Sequence, residues 1–250
     1  MALLGVLAHL APTLKLRVMA CGVDHGLRAE ARAELDVAQQ WATERSIPFQ
    51  RRSVHVPGSS NLQALAREAR YEALVSCAAE FGLDYIVTAH HLEDRAETVL
   101  LRLLRGAGPE GLRVLPPRLG NRLRPMIHAS KAQVSAYLAR HRIPFVNDPS
   151  NANDRFLRVR VRRELLPLLR ELSPGIVEHL NNLADELACA PLPSVVDEAG
   201  EEILLNRAQR AQLRRALAAG RHHEQIWLSA GRVLVIDPET MLPRVVCSNR

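Results

Sequence analysis

Apolar residues recur along this chain in two alternating periods, and the switches between them mark the elements. ALLGVLAHLA (residues 2–11) has helical spacing, LRVMACGV (16–23) is a short β-rich run, and EARAELDVAQQWATERS (30–46) is an amphipathic helix. PFQRRSVHV (48–56) reads as a strand and NLQALAREARYEALVSCAAEFG (61–82) as a long helix, with Asn61 placed to cap it and Gly82 to end it. YIVTA (85–89) is a short apolar strand, followed by a helix within TAHHLEDRAETVLLRLLRGAG (88–108). Strands alternating with helices predict βαβ units, and so an α/β class with a parallel sheet and helices on both faces.

The texture changes after Gly108. GLRVLPPRLGNRLRPMI (111–127) reads as a loop leading into a short strand, and SKAQVSAYLARHRI (130–143) as a helix capped by Ser130. FVNDPSNANDRF (145–156) is a polar turn, FLRVRVRRELLPLLREL (156–172) a very basic helix, and SPGIVEHLNNLADELA (173–188) another helix opened by Ser173-Pro174. CAPLPSVVDEAG (189–200) looks like a linker. The last 50 residues offer one helix, RAQRAQLRRALAAG (207–220), and a hairpin in QIWLSAGRVLVIDPET (225–240), a small α+β piece.

One helix breaks the usual pattern. At about 100° per residue, His90, Asp94, Glu97 and Leu101 fall in a narrow sector, so titratable groups share a side with core leucines. Burying them is costly unless each finds a partner. A lone His–Asp pair is usually structural, but four polar groups, with Thr98, on an otherwise leucine-lined face point to a site. His91 falls off that face and reads as incidental. Ligands in open parallel sheets sit at the carboxyl ends of strands, and Asp24, His25 and His90 each fall just past a strand end. Three polar residues from separate segments are therefore expected to converge on one edge.

Charge sharpens the reading. Lys and Arg number 33 against 27 Asp and Glu, and the isoelectric point near 9.7 suits a polyanionic partner, nucleic acid most simply, or a solvated basic surface. Arg155, Arg158, Arg160, Arg162 and Arg163 place five cations within nine residues, either a stripe for an RNA backbone or a solvated face. Arg67 and Arg70 are spaced i, i+3 with Tyr71 and Leu74, which suits phosphate or carboxylate recognition as well as a plain surface pair. Asp24 fits either a ligand contact or a cap on the next helix. Cys21, Cys77, Cys189 and Cys247 are far apart with no CxxC, which argues for neither zinc nor a disulfide framework and fits a reducing cytosol. No run of about 18 apolar residues reads as a transmembrane helix, and the apolar start has no basic leader, so it is not taken for a signal peptide.

Taken in order, VDHGLR (23–28), AREARY (66–71), TAHHLEDRAETVLLRLLRGAG, RPM (124–126) with a following Ser-Lys, and NDPSN (147–151) with R-x-x-x-R after it resemble the tRNA(Ile)-lysidine synthetases, members of the N-type ATP pyrophosphatase, or PP-loop, group. The resemblance covers roughly residues 1–185. It implies a Rossmann-like sheet of the adenine nucleotide alpha hydrolase-like type, followed by a helical region. It also implies a reaction: ATP and Mg²⁺ adenylate the C2 oxygen of the wobble cytidine in a CAU-anticodon isoleucine tRNA, and the ε-amine of free lysine then displaces AMP. By analogy Arg67, Arg70, His90, Asp94, Glu97 and Thr98 are assigned to catalysis, and Asp24 and His25 to ATP. Arg105, Arg155, Arg158, Arg162 and Arg163 are assigned to the tRNA, with Gly106 and Gly108 permitting close backbone approach, and no residue is assigned as a protein metal ligand. The implied partners are the tRNA and lysine, with no membrane, and a homodimer stays open.

The resemblance has gaps. The group's SGGxDS loop and first strand are not in the chain, which starts about where the helix after that loop begins. The expectation is a start codon assigned too late, with strand and loop encoded upstream; the alternative is a true loss that leaves a non-catalytic RNA- or nucleotide-binding remnant. Losing a central strand would expose the edges of two neighbours. Arg95 stands where the family usually carries Gln. A related tRNA cytidine thiolase is a further alternative, set against the missing CxxC pairs. The expected divisions are residues 1–165 for a nucleotide-binding domain, 166–190 for a helical extension, and 191–250 for a linker and a small, partial tRNA-binding region.

Overall fold

A computed structural model describes residues 1–24, 30–54, 62–146, 157–188 and most of 192–247. The chain forms two compact units, Met1–Ala188 and Cys189–Arg250.

The first unit is α/β, as the alternating periods require. Its elements are α1 (Ala2–Leu14), β1 (Ala20–Asp24), α2 (Glu30–Thr43), β2 (Phe49–Ser53), α3 (Leu62–Glu80), β3 (Ile86–Val87) and α4 (Leu92–Leu103). There follow β4 (Arg118–Leu119), β5 (Arg122–Leu123), α5 (Lys131–Arg140), α6 (Leu157–Arg160), α7 (Leu166–Leu172) and α8 (Ile176–Ala188). β1 and β2 pair in parallel from Ala20↔Phe49 to Asp24↔Ser53. β3 pairs in parallel with β5, which turns back antiparallel onto β4. Among the described residues these are two separate sheets, β1-β2 and β3-β5-β4. α3 packs against both β1 and β3. It ends at Gly82, whose φ of +57° is the left-handed turn that glycine adopts without strain. The proposed cap Asn61 lies outside the described residues.

The hairpin β4–β5 falls where the sequence reading expects a loop and one strand. Each arm is two residues long, too short for a periodic signal.

The main core lies between α4 and α8. Leu92, Ala96, Val99 and Leu100 of α4 bury against Val177, Leu180 and Ala184 of α8, closed by Leu112, Val114, Val161 and Leu166. Each large side chain buried here contributes about 1.5–3 kcal/mol of hydrophobic stabilisation. Residues 166–188 pack into this core and fall within the first unit. α1 sits close on α5 because residue 5 is glycine: a Cβ there would run into Ile143 Cδ1. Ser130 caps α5 as expected, accepting the Gln133 N–H at 3.2 Å.

The basic run 157–172 is one continuous helical rod with a fault in it. Between α6 and α7, Val161–Leu165 form a π-helical turn, and the Leu166 N–H reaches back to Val161 O. Pro167 explains the fault: it has no N–H to give, and its ring displaces the carbonyl that a regular α-turn would place beneath it.

The second unit carries α9 (Arg207–Ala218), β6 (Ile226–Trp227), β7 (Arg232–Ile236) and β8 (Pro243–Cys247) in an antiparallel sheet of order β6-β7-β8. Leu213 and Ala216 of α9 pack on Ile226, Leu234, Ile236 and Val245. The expected helix and hairpin are present, and β8 adds a third strand.

Candidate active site

The site gathers at the N-terminal end of α4. His91 is the residue before its first turn, and its backbone N–H donates to Asp94 Oδ2 at 3.1 Å, the return bond of a capping box. The His91 ring lies between two carboxylates, with Nδ1 3.2 Å from Glu93 Oε2 and Nε2 3.4 Å from Asp94 Oδ2. Burial alone would push this imidazole down, but Glu93 and Asp94 outweigh it and its pKa is raised. Burial pushes Glu93 the other way, yet His91 and the Lys131 N–H at 2.8 Å hold its carboxyl down to about 2. The reading of His91 as incidental is therefore corrected: it braces the helix terminus, and Glu93 ties that terminus to the start of α5.

His90 precedes the helix instead of opening it. Its Nδ1 lies 2.9 Å from Thr88 Oγ1. Burial lowers its pKa to about 4; Asp94 opposes that, while Arg67, Arg124 and Arg158 add to it. The ring is neutral at pH 7. Three guanidiniums from three different segments thus act electrostatically on one uncharged imidazole.

Glu97 is 1% exposed. Arg162 donates to both its oxygens, Nε to Oε1 at 2.6 Å and Nη2 to Oε2 at 3.0 Å, and Arg158 Nε donates to Oε2 at 2.9 Å. These bonds raise the Arg162 pKa against the opposing effect of burial. Arg158 Nη2 also reaches Asp94 Oδ1 at 3.3 Å. Asp94 is the more open carboxylate, its side chain 17% exposed against 2% for Glu97. Thr98 donates to Asp94 O at 2.7 Å, one turn back along the helix, so its hydroxyl serves the backbone under Asp94.

Arg67, on α3, lies over the Tyr71 ring with its guanidinium carbon 5.2 Å from the centroid. Partial burial lowers its pKa, Tyr71 opposes, and Arg158, Arg124 and Arg70 lower it further. Arg158 thus bonds both Asp94 and Glu97, and with Arg124 it acts electrostatically on Arg67 and His90, while Arg70 acts on Arg67. Arg158 and Arg162 face inward onto these carboxylates, which corrects the expectation of an outward stripe that includes them. Arg163 is exposed, and Arg160 pairs with Glu164 at 2.9 Å. Arg105 is exposed eleven residues beyond Asp94, about 16 Å along the helix direction. Asp24 ends β1 and lies 3.6 Å from Arg32. His25 and Arg155 lie outside the described residues.

Two buried cations escaped the sequence reading. Arg95 is fully buried, donating from Nε to Val114 O at 3.0 Å and from Nη1 to Asp185 Oδ1 at 2.6 Å. Its place in the stripe of Leu92, Ala96 and Val99 was the available signal. Arg124, 3% exposed, follows β5 within a Pro- and Arg-rich stretch that shows no period, so no such signal existed.

With this geometry in view, residues 1–169 match the family model described as a PP-loop domain. The chain is 32% identical over 188 residues to a tRNA(Ile)-lysidine synthase of Thermotoga maritima, covering 73% of this chain and 45% of that protein. It is 39% identical over 190 residues to one of Pseudomonas aeruginosa, covering 74% and 42% respectively. The chain therefore spans less than half the length of these relatives. In fold it is similar to the U34-tRNA thiolase NcsA from Methanococcus maripaludis, with a TM-score of 0.60 at 18% identity over 76% of this chain and 70% of that one.

Proposed function

Because the chain belongs to the PP-loop domain family, we propose that it is an ATP-dependent tRNA-modifying ligase, acting on the wobble cytidine of a CAU-anticodon isoleucine tRNA and joining free lysine to it. The supporting observation is the ionic assembly at the start of α4: Arg158 bonds both Asp94 and Glu97, and Arg67, Arg124 and Arg158 act electrostatically on a neutral His90.

The reaction asks for those charges. Cytidine O2 attacks the α-phosphorus of ATP and pyrophosphate leaves; the lysine ε-amine then attacks C2, and the C2–O2 bond breaks as AMP departs. Negative charge develops on phosphate oxygens in both steps, and the guanidiniums of Arg67, Arg70 and Arg158 stabilise it. His90, neutral and anchored to Thr88, offers a ring nitrogen as a hydrogen-bond partner without adding a charge. Lysine must shed a proton before it attacks. Asp94 takes that proton, being the more open carboxylate. Glu97, its oxygens already accepting three N–H bonds, positions Arg158 and Arg162.

Mg²⁺ would come in on the nucleotide phosphates with one or two carboxylates. Among the described residues no three His, Cys, Asp or Glu side chains gather as a metal site. Asp24 and His25 are proposed to border the nucleotide, and Arg105, Arg155 and Arg163 to meet tRNA phosphates. The family's thiolation chemistry is less well served: burial and the neighbouring Cys77 push the Cys21 thiol up to about 12, which keeps it protonated. No helix among the described residues is long and apolar enough to cross a membrane.

The test is incorporation of labelled lysine, with ATP, into an isoleucine-tRNA transcript carrying CAU, by the protein expressed from its full reading frame. Lysine incorporation with AMP release is expected. Its absence, with the tRNA bound or not, overturns the proposal.

A further inference from the structure

Among the described residues, Arg124 is a buried cation that no anion answers. Its side chain is 3% exposed, and its Nη1 donates to Pro116 O at 2.8 Å. Its Nε is buried with no partner. No carboxylate pairs with it among the described residues. A guanidinium cannot escape this by losing a proton, since it stays charged throughout the working pH range. Buried charges in folded proteins are otherwise paired, as Glu97 and Arg95 are in this same unit.

The surroundings add to the imbalance. The Arg124 N–H continues the β4–β5 ladder by donating to Pro117 O at 2.8 Å, so Arg122 and Arg124 share one face of that strand. On that face the Arg122 guanidinium carbon lies 4.3 Å from the centroid of Tyr71, and Arg67 lies over the same ring. Arg124 acts electrostatically on both Arg67 and His90, so the charge of this face falls on the same two groups. Like charges held together in a partly dry site are tolerated when a polyvalent anion completes them.

We propose that Arg124 is the fixed positive pole of an oxyanion subsite walled by Arg67 and His90, and that it receives a phosphoryl group of the nucleotide. This rests on the ATP-dependent reading above and adds to it a named phosphate anchor outside any glycine-rich loop. A phosphoryl oxyanion fits better than the single carboxylate of an amino acid, because several guanidiniums converge there.

The probe is inorganic pyrophosphate, with free lysine as the second arm, each titrated calorimetrically into the wild-type protein and into Arg124→Met, Arg124→Lys and the surface control Arg113→Met. Loss of one charge-assisted anchor is expected to weaken pyrophosphate binding about ten- to a hundredfold in Arg124→Met, with partial recovery in Arg124→Lys and none of this in Arg113→Met. The melting temperature without ligand is expected to hold or rise in Arg124→Met, because an unanswered charge has been removed. Pyrophosphate affinity unchanged in Arg124→Met overturns the proposal, as does the absence of pyrophosphate binding to the wild type. A lowered melting temperature with unchanged affinity shows a structural role, and a loss confined to lysine assigns the subsite to a carboxylate; both overturn it. Pyrophosphate binding that depends on Arg124 in a protein unable to transfer lysine would leave this subsite standing while the ligase reading fell.

Discussion

α4 buries two charges two residues apart, and it treats them differently. Arg95 faces α8, where its partners are a backbone carbonyl and Asp185, and where Asn181 donates to Leu92 O at 2.9 Å and to Val177 O at 2.8 Å. Glu97 faces the α6 segment, where its partners are two arginine side chains about one-third exposed. The first arrangement is anchored to main chain that cannot turn away. The second is built of long side chains with water at their backs, which can exchange one anion for another. The same helix thus carries a structural clamp on one flank and an adjustable ionic assembly on the other, and the proposed chemistry belongs to the adjustable flank.

Glu97→Gln should separate the two flanks most sharply. It leaves Arg158 and Arg162 without their buried carboxylate, and misplacing those groups is expected to lower lysine transfer by about a hundredfold or more. Stability should fall by only about 1–2 kcal/mol, since the freed guanidiniums can turn to solvent. Arg95→Met should do the reverse. A loss of about 2–3 kcal/mol in urea unfolding is expected from the orphaned Val114 carbonyl and Asp185, with transfer per folded molecule within about threefold of wild type. If both variants lose activity and stability in proportion, the distinction between the flanks is wrong.

A further effect is one of pH. His90 titrates near 4 in the folded chain, below its ordinary value of 6.5, so between those values the unfolded chain binds a proton that the native one refuses. Stability should therefore fall as pH drops from about 6.5 towards 4. The urea midpoint measured across that range should lose this slope in His90→Gln. Glu93, held down to about 2, acts in a lower window: its contribution is complete above about 4.5 and is lost as pH falls towards 2. His91, raised instead, stabilises below its unfolded value and loses that contribution as pH climbs through its folded one.

Much of this was legible from period alone. Asp94 and Glu97 stood out because polar residues on a leucine stripe demand partners, whereas His90, placed on the same stripe, lies before the helix; the parallel strands followed from the alternation of short apolar runs with long amphipathic ones. The partners themselves were not legible. Arg158 and Arg162 lie i, i+4 on one helix face, but spacing does not say whether that face looks outward or onto Glu97, more than 60 residues earlier in the chain. Arg95 sat in plain view on the apolar stripe and was read as a departure from a family pattern instead of as a buried anchor. Arg124 had no periodic neighbours to betray it, and the strands around it are two residues each, below the length at which alternation can be seen.

The π-turn before Pro167 has one more effect. An extra residue in a single turn sets everything downstream back by roughly 100° of helical rotation. Without it, Leu169 would point along nearly the same bearing as Arg162, and grease and charge would compete for one sector. With it, the rod is clocked so that its first half offers guanidiniums to α4 while its second half offers leucines to the core, which lets a single length of helix work as both ligand and wedge.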